Sequence, residues 1–276
     1  MRSPPFPVTD DHLHIDPRNG RGIEAVKDFH RAGGTHLFLV AKPASSFGIA
    51  PSAGSDYQPV FDETIRVGKL IAETGVVAFP VLGIHPAEIT QIAGRLGLDR
   101  AAEVMEEGLS LAARYVSDGL AFALKSGRPH YEVAPDVWDA SNRVLSHALA
   151  LAKDCPCALQ IHAESGPCSD IVNMARRVGM DPGRVVKHYA TPDTPLIPSF
   201  IAKHETIPAL AREKRAFTME SDYMDENSRP GAVIGPKSVP RITNHLLASG
   251  AITPEDCHRI HVVTVERVYG VEIRLR

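Results

Sequence analysis

The stretch "VTDDHLHI", residues 8–15, reads as a short strand with an unusual load: two carboxylates and two histidines in eight positions. Residues i and i+2 of a strand face the same way. His12 and His14 therefore present two imidazoles side by side on one face. Seven further runs of the same β-rich kind follow along the chain. They are "THLFLVA" (35–41), "VVAFPVLGI" (76–84), "LAFALK" (120–125), "CALQIH" (157–162), "RVVKH" (184–188), "LIPSFIA" (196–202) and "AFTMESD" (216–222). Helical periodicity fills the intervals, as in "GIEAVKDFHRAG" (22–33) and "DVWDASNRVLSHALALAKD" (136–154), where apolar residues recur at three- and four-residue steps. Eight strand candidates alternating with helices predict an α/β fold, a (β/α)8 TIM barrel. The segment "YATPDTP" (189–195) is too short for a helix, so the expected barrel is irregular between strands 6 and 7. No repeat, low-complexity tract or linker divides the chain, and a single domain over residues 1–276 is expected.

Composition narrows the class. With 43% hydrophobic residues the chain can bury a large core, and 30 basic against 33 acidic residues give a net charge of −3. That balance provides no global attraction for nucleic acid and leaves only a local basic patch to bind it. Cys155, Cys157, Cys168 and Cys257 are too few and too scattered for a disulfide framework. They fit a reducing cytosol, and a cytoplasmic location is expected. The N-terminal "MRSPPFPVTDD" has no apolar stretch, so neither a signal peptide nor a membrane span is expected. No feature of the sequence sets an oligomeric state.

The chemistry gathers at the ends of the runs. Strand 1 ends with His12 and His14, strand 4 with Lys125, strand 5 with His162, strand 6 with His188 and strand 8 with Asp222. In a (β/α)8 barrel the C-terminal strand ends converge on one mouth, where active sites are built. Each residue alone has a plain structural reading. A strand-end histidine usually makes a hydrogen bond, and Asp222 would cap a following helix. Four histidines and an aspartate at such ends together point to metal. Imidazole and carboxylate suit Zn²⁺, Mn²⁺, Fe²⁺, Co²⁺ or Ni²⁺ better than Ca²⁺ or Mg²⁺, with zinc the default. Two such ions a few ångströms apart would hold a bridging water and supply hydroxide near neutral pH.

These residues sit in motifs that resemble the amidohydrolase superfamily, and within it the TatD-like metal-dependent hydrolases. The motifs are "DDHLHID" (10–16), "VLGIHPAEI" (81–89), "ALKSGRPHY" (123–131), "LQIHAES" (159–165), "VVKHYA" (185–190), "TMESDYMDENSRPGAVIGP" (218–236) and the tail "VTVERVYGV" (263–271), so the likeness covers nearly the whole chain. The resemblance implies that His12, His14 and Asp222 hold one metal and that His162 and His188 hold a second. His85, in "GIHP", falls where TatD-like proteins carry a histidine near the pocket, and a structural role there is equally open. One position departs. TatD-like enzymes usually bridge both metals with a glutamate after strand 4, and Lys125 stands there. A protonated lysine has no acceptor. A lysine at this place resembles the phosphotriesterase branch, where the amine takes up CO₂ to give a carbamate, a carboxylate able to join two cations. Burial would favour that reaction by freeing the amine. The alternative is an ammonium that replaces the second metal or binds a substrate anion.

Three functions follow as expectations. The first is a hydrolase of phosphate esters, nucleases included, with Asp222 as the base and with Arg128, Arg229, Lys237 and Arg241 near the mouth to hold phosphate oxygens. The second is a hydrolase of lactones, carboxylic esters or amides, which the lysine at the bridge favours. The third is a binding protein whose Lys125 has abolished turnover; the other five ligands, all intact, argue against it.

Overall fold

The expected alternation folds as parallel strands joined by helices. The computed structural model describes residues 6–228 and 234–275. In chain order they form β1 (Thr9–His14), α1 (Ile23–Arg31), β2 (His36–Val40), α2 (Gln58–Ala72), β3 (Val77–Gly83), α3 (Glu88–Leu96), α4 (Leu98–Ser117) and β4 (Ala123–Gly127). Next come α5 (Pro135–Asp154), β5 (Ala158–His162), α6 (Asp170–Val178), β6 (Val185–Lys187), β7 (Ile197–Ile201) and α7 (Ile207–Arg212). The chain closes with β8 (Thr218–Glu220), β9 (Tyr223–Met224), α8 (Ser238–Ala248), α9 (Pro254–His258) and α10 (Thr264–Tyr269). Each of the eight expected runs contains a strand, and no helix joins β6 to β7. Two details differ from the reading of the sequence. β4 continues past Lys125 to Gly127, and β8 stops at Glu220 before a short β9 that the hydrophobic pattern does not announce. No helix among the described residues is long and apolar enough to cross a membrane.

Backbone contacts divide the chain into two compact units. The first comprises residues 1–39, 66–79 and 198–276. In it β1 pairs in parallel with β2 (Thr9 with His36, Leu13 with Leu39) and with β9 (Leu13 with Tyr223, His14 with Met224). β7 pairs in parallel with β8, Ser199 facing Thr218. The register of β1 against β2 shifts between Asp10 and Leu13. Such an irregularity re-aims side chains, and it falls on Asp11 and His12. Hydrogen bonds then tie β1 to β8 and to the turn that follows it. Ser221 N–H donates to Asp10 Oδ1 (3.0 Å), Thr218 Oγ1 donates to Asp11 Oδ2 (2.8 Å) and Asp222 N–H donates to the His12 carbonyl (2.9 Å). Burial holds both carboxyls up, Asp10 well above its ordinary value and Asp11 at about 7. Around this seam Leu13, Ala25, Val26, Phe29, Leu37 and Ile71 form a core. The i, i+1, i+4 spacing of Ala25, Val26 and Phe29 gives α1 its single apolar face.

The second unit comprises residues 40–65 and 80–197. Its strands β3, β4, β5 and β6 pair in parallel in chain order, with Gly83 opposite Lys125, Lys125 opposite Gln160 and Ile161 opposite Lys187. α5 buries Val144, Leu145, Ala148, Leu149 and Ala152 against Val104, Met105, Leu109 and Ala112 of α4. The helix-period spacing on both helices puts these residues in a shared core.

His261, in a π-helical turn at Arg259–Val263, is fully buried beneath β1. Its Nδ1 lies 3.2 Å from the Thr9 amide and its Nε2 lies 2.9 Å from Thr243 Oγ1. Burial lowers its pKa to about 4. Between pH 6.5 and 4 the unfolded chain takes up a proton that the folded chain refuses, so stability falls as pH drops through this window. The full loss attributable to this group is on the order of 3 kcal/mol. Urea unfolding of His261→Gln at a series of pH values is expected to show a shallower decline across the window than the wild type. Parallel curves would place the acid sensitivity elsewhere.

Candidate active site

In the first unit the His12 and His14 rings stand edge to face with centroids 5.2 Å apart, both buried. Asp10 Oδ1 accepts the His12 backbone N–H (3.2 Å), fixing the segment that carries the imidazole. Asp222 Oδ1 reaches to 3.9 Å from His12 Nε2. Asp222 occupies the left-handed turn between β8 and β9, at φ 46. Aspartate tolerates that conformation better than most residues. The loop after β1 is held by another carboxylate, Asp225. It accepts hydrogen bonds from the amides of Asp16 (2.9 Å), Arg21 (2.7 Å) and Gly22 (2.8 Å) and from Tyr223 Oη (2.9 Å). Lys237 Nζ lies 3.6 Å from Asp28, whose carboxyl is lowered to about 2 by Arg21, Arg31 and Lys237. Arg229 lies outside the described residues.

In the second unit four histidines gather around one ring. His162 lies 4.6 Å from His85, 4.7 Å from His130 and 5.4 Å from His188, centroid to centroid. His130 Nδ1 is 2.7 Å from His162 Nε2. His85 Nδ1 accepts the Ala87 N–H (3.2 Å), which leaves its Nε2 as the remaining donor atom. Burial pushes His85 down to about 3, helped by the positive charge of Lys125 and by His188 and His130. Burial, then His188, His85 and Lys125, pushes His162 down further. Both rings are thus neutral at physiological pH, the state in which imidazole binds a cation. Lys125 is buried within β4 and close enough to depress both histidines.

The close passage of β4 and β5 at this end requires glycine. A Cβ on Gly127 would stand 1.7 Å from the His162 carbonyl oxygen, and the next residue, Arg128, donates its N–H to that oxygen (2.8 Å). The Arg128 side chain, 1% exposed, turns inward rather than to solvent. It grips Glu164 in two-pronged fashion, reaches Asp170 (2.6 Å) and Asn142 (3.2 Å), and lies 4.4 Å over the Trp138 ring. Its donors are committed to carboxylates, and the loops after β4 and β5 are pinned to α6 through it.

The donor set of buried and half-buried imidazoles and a half-buried carboxylate fits a divalent transition-metal ion, and histidine and aspartate ligand atoms able to hold one are present among the described residues. Of the residues singled out from sequence, His12, His14 and Asp222 come together in the first unit. His85, Lys125, His162 and His188 come together in the second. His130 is the member that sequence reading passed over. Its signal was its place in "SGRPHY", on the loop after β4, where the rule that selected Lys125 applies equally.

A parallel α/β scaffold carrying such sets defines the class, a TIM-barrel-like metal-dependent hydrolase. The chain belongs to the TatD related DNase family, whose model matches residues 9–270. It is 36% identical to the uncharacterized protein MJ1127 of Methanocaldococcus jannaschii over 98% of each chain. Among solved structures, it is similar to a variant of the PTE-like lactonase of Deinococcus radiodurans (TM-score 0.64, 14% identity, 98% of both chains). It is also similar to YJJV, a TatD homolog from Escherichia coli (TM-score 0.62, 16% identity, 96% and 98%). At these identities the two structures share the fold.

Arg128→Ala should cost roughly 3 kcal/mol in chemical unfolding. That is the low end for breaking a buried ion pair, because Glu164 and Asp170 still reach water. Arg128→Lys should recover only part, since a point charge cannot reproduce the two-pronged grip. A thermal midpoint unchanged in both variants would refute the role of Arg128 as a clamp.

Proposed function

We propose that the chain hydrolyses phosphate esters, nucleic-acid ends among them, with two divalent ions, zinc first. The observation that carries this reading is the pairing of a TatD family match with two clustered sets of histidines at the ends of parallel strands. His12, His14 and Asp222 would hold one ion, and His162 and His188 the other. When bound, such ions lower the pKa of water toward neutrality and polarise the oxygen under attack. Asp222 orients the attacking water and accepts its proton, its left-handed backbone fixing the carboxylate beside His12. Lys125 supplies the missing carboxylate. Its amine, in the free-base form, attacks CO₂; a nitrogen–carbon bond forms and one proton leaves. His85 lines the pocket from β3. Lys237 and Arg229 meet phosphate oxygens, and Arg128 shapes the pocket from behind through Glu164 and Asp170. Four free thiols accord with work in a reducing cytosol.

A second reading, hydrolysis of lactones or carboxylic esters, is favoured by the lysine in β4 and by the fold likeness to a lactonase. Turnover of a chromogenic phosphodiester against a lactone and an aryl ester, with Zn²⁺ or Mn²⁺ added, separates the two.

Purified protein should contain close to two ions per chain. Asp222→Asn should retain most of them yet lose two or more orders of magnitude in turnover; full activity would move the base elsewhere. Lys237→Ala should raise KM for a phosphate ester and leave a neutral ester unaffected, whereas equal effects would reduce Lys237 to a partner of Asp28. Lys125→Ala should lose an ion and activity, and formate or acetate should partly restore both. An alanine variant that keeps its ions and ignores added carboxylate would refute the carbamate.

A further inference from the structure

We propose that His130 is itself a metal ligand, its Nδ1 binding the ion ascribed to His162. The assignment rests on the proposed two-ion site and adds to it a donor that the family pattern does not supply. His130 is exposed, and an exposed loop histidine ordinarily samples several rotamers in water. Here its Nδ1 lies 2.7 Å from His162 Nε2, with the two ring planes at 76°.

The loop that delivers it is braced at successive positions. Gly127 lets the backbone touch β5, and the Arg128 amide bonds to the His162 carbonyl. The Arg128 side chain is locked on Glu164 and Asp170, and Pro129 restricts the backbone directly before His130. On the far side Tyr131 packs edge-on against the His130 ring (5.3 Å), and its Oη lies 3.0 Å from Thr90 Oγ1.

Two imidazole nitrogens 2.7 Å apart share one proton between converging lone pairs. Two imidazoles on a tetrahedral Zn²⁺, each at about 2.0–2.1 Å, lie about 3.3 Å apart. Exchanging the shared proton for a cation therefore opens the pair by only about 0.6 Å. His130 and His162 then grip the ion as a pair of imidazoles, each contributing one nitrogen.

The test uses the full-length protein stripped of metal and titrated with Co²⁺ and Zn²⁺ alone. Affinity and stoichiometry come from competition with a chromophoric chelator, geometry from the visible Co²⁺ spectrum, and the number of bound imidazoles from X-ray absorption. His130→Ala should weaken one of the two ions at least tenfold, lower the imidazole count at that ion by one and alter its Co²⁺ spectrum. Added imidazole should restore the spectrum. Because residue 130 is exposed, the metal-free variant should melt like the wild type, and that melt guards against misfolding as the cause. An unchanged affinity and spectrum in His130→Ala, while His162→Ala loses its ion, would overturn the assignment and leave the two-ion reading intact. Weaker binding with an unchanged imidazole count would also overturn it, making His130 a hydrogen-bonding neighbour. A wild type that binds no ion dependent on His162 would instead overturn the two-ion reading itself.

Discussion

The amide of Arg128 reaches the carbonyl of His162 because residue 127 has no side chain. A methyl group there would overlap the carbonyl oxygen at 1.7 Å, and β4 would have to leave β5 before the end of the ladder. Much of the second unit's chemistry depends on that contact. It sets Lys125 two residues before the approach and His130 three residues after it. It also fixes the carbonyl of the residue whose ring lies at the centre of the histidine cluster. Parallel pairing puts the C-terminal ends of β3 to β6 on one side, so residues remote in sequence are neighbours there.

The cluster is crowded on purpose in an electrostatic sense. His85 and His162 are largely shielded from water beside Lys125, and each added positive charge raises the cost of the next. The result is neutral rings at His85 and His162. In the first unit the logic is inverted. Carboxyls dominate, and two of them, Asp10 and Asp11, are held toward the protonated state and serve as connectors between β1 and β8.

The cations divide by what surrounds them. Arg128 looks in sequence like a phosphate-binding loop residue, and it is buried among Glu164, Asp170, Asn142 and Trp138. Lys237 stays 38% exposed beside Asp28, an arrangement that water screens and that an anion can displace. Charge alone does not separate these roles; burial and the partner set do.

The sequence by itself determined the strands and the long helices. Period-two and period-four apolar patterns are local properties, and they located β1, β5 and α5 to within a residue or two. The sequence also carried His12 and His14 as a pair, because i and i+2 in a strand can face only the same way. Only the tertiary structure decided which polar groups meet. It brought His130 to His162 across 32 intervening bonds of chain order, spent Arg128 on carboxylates, and gave Asp222 a left-handed turn beside His12. These outcomes depend on a close backbone passage, on burial and on parallel register, all of which are set by strands distant in sequence and none of which leaves a periodic trace in it.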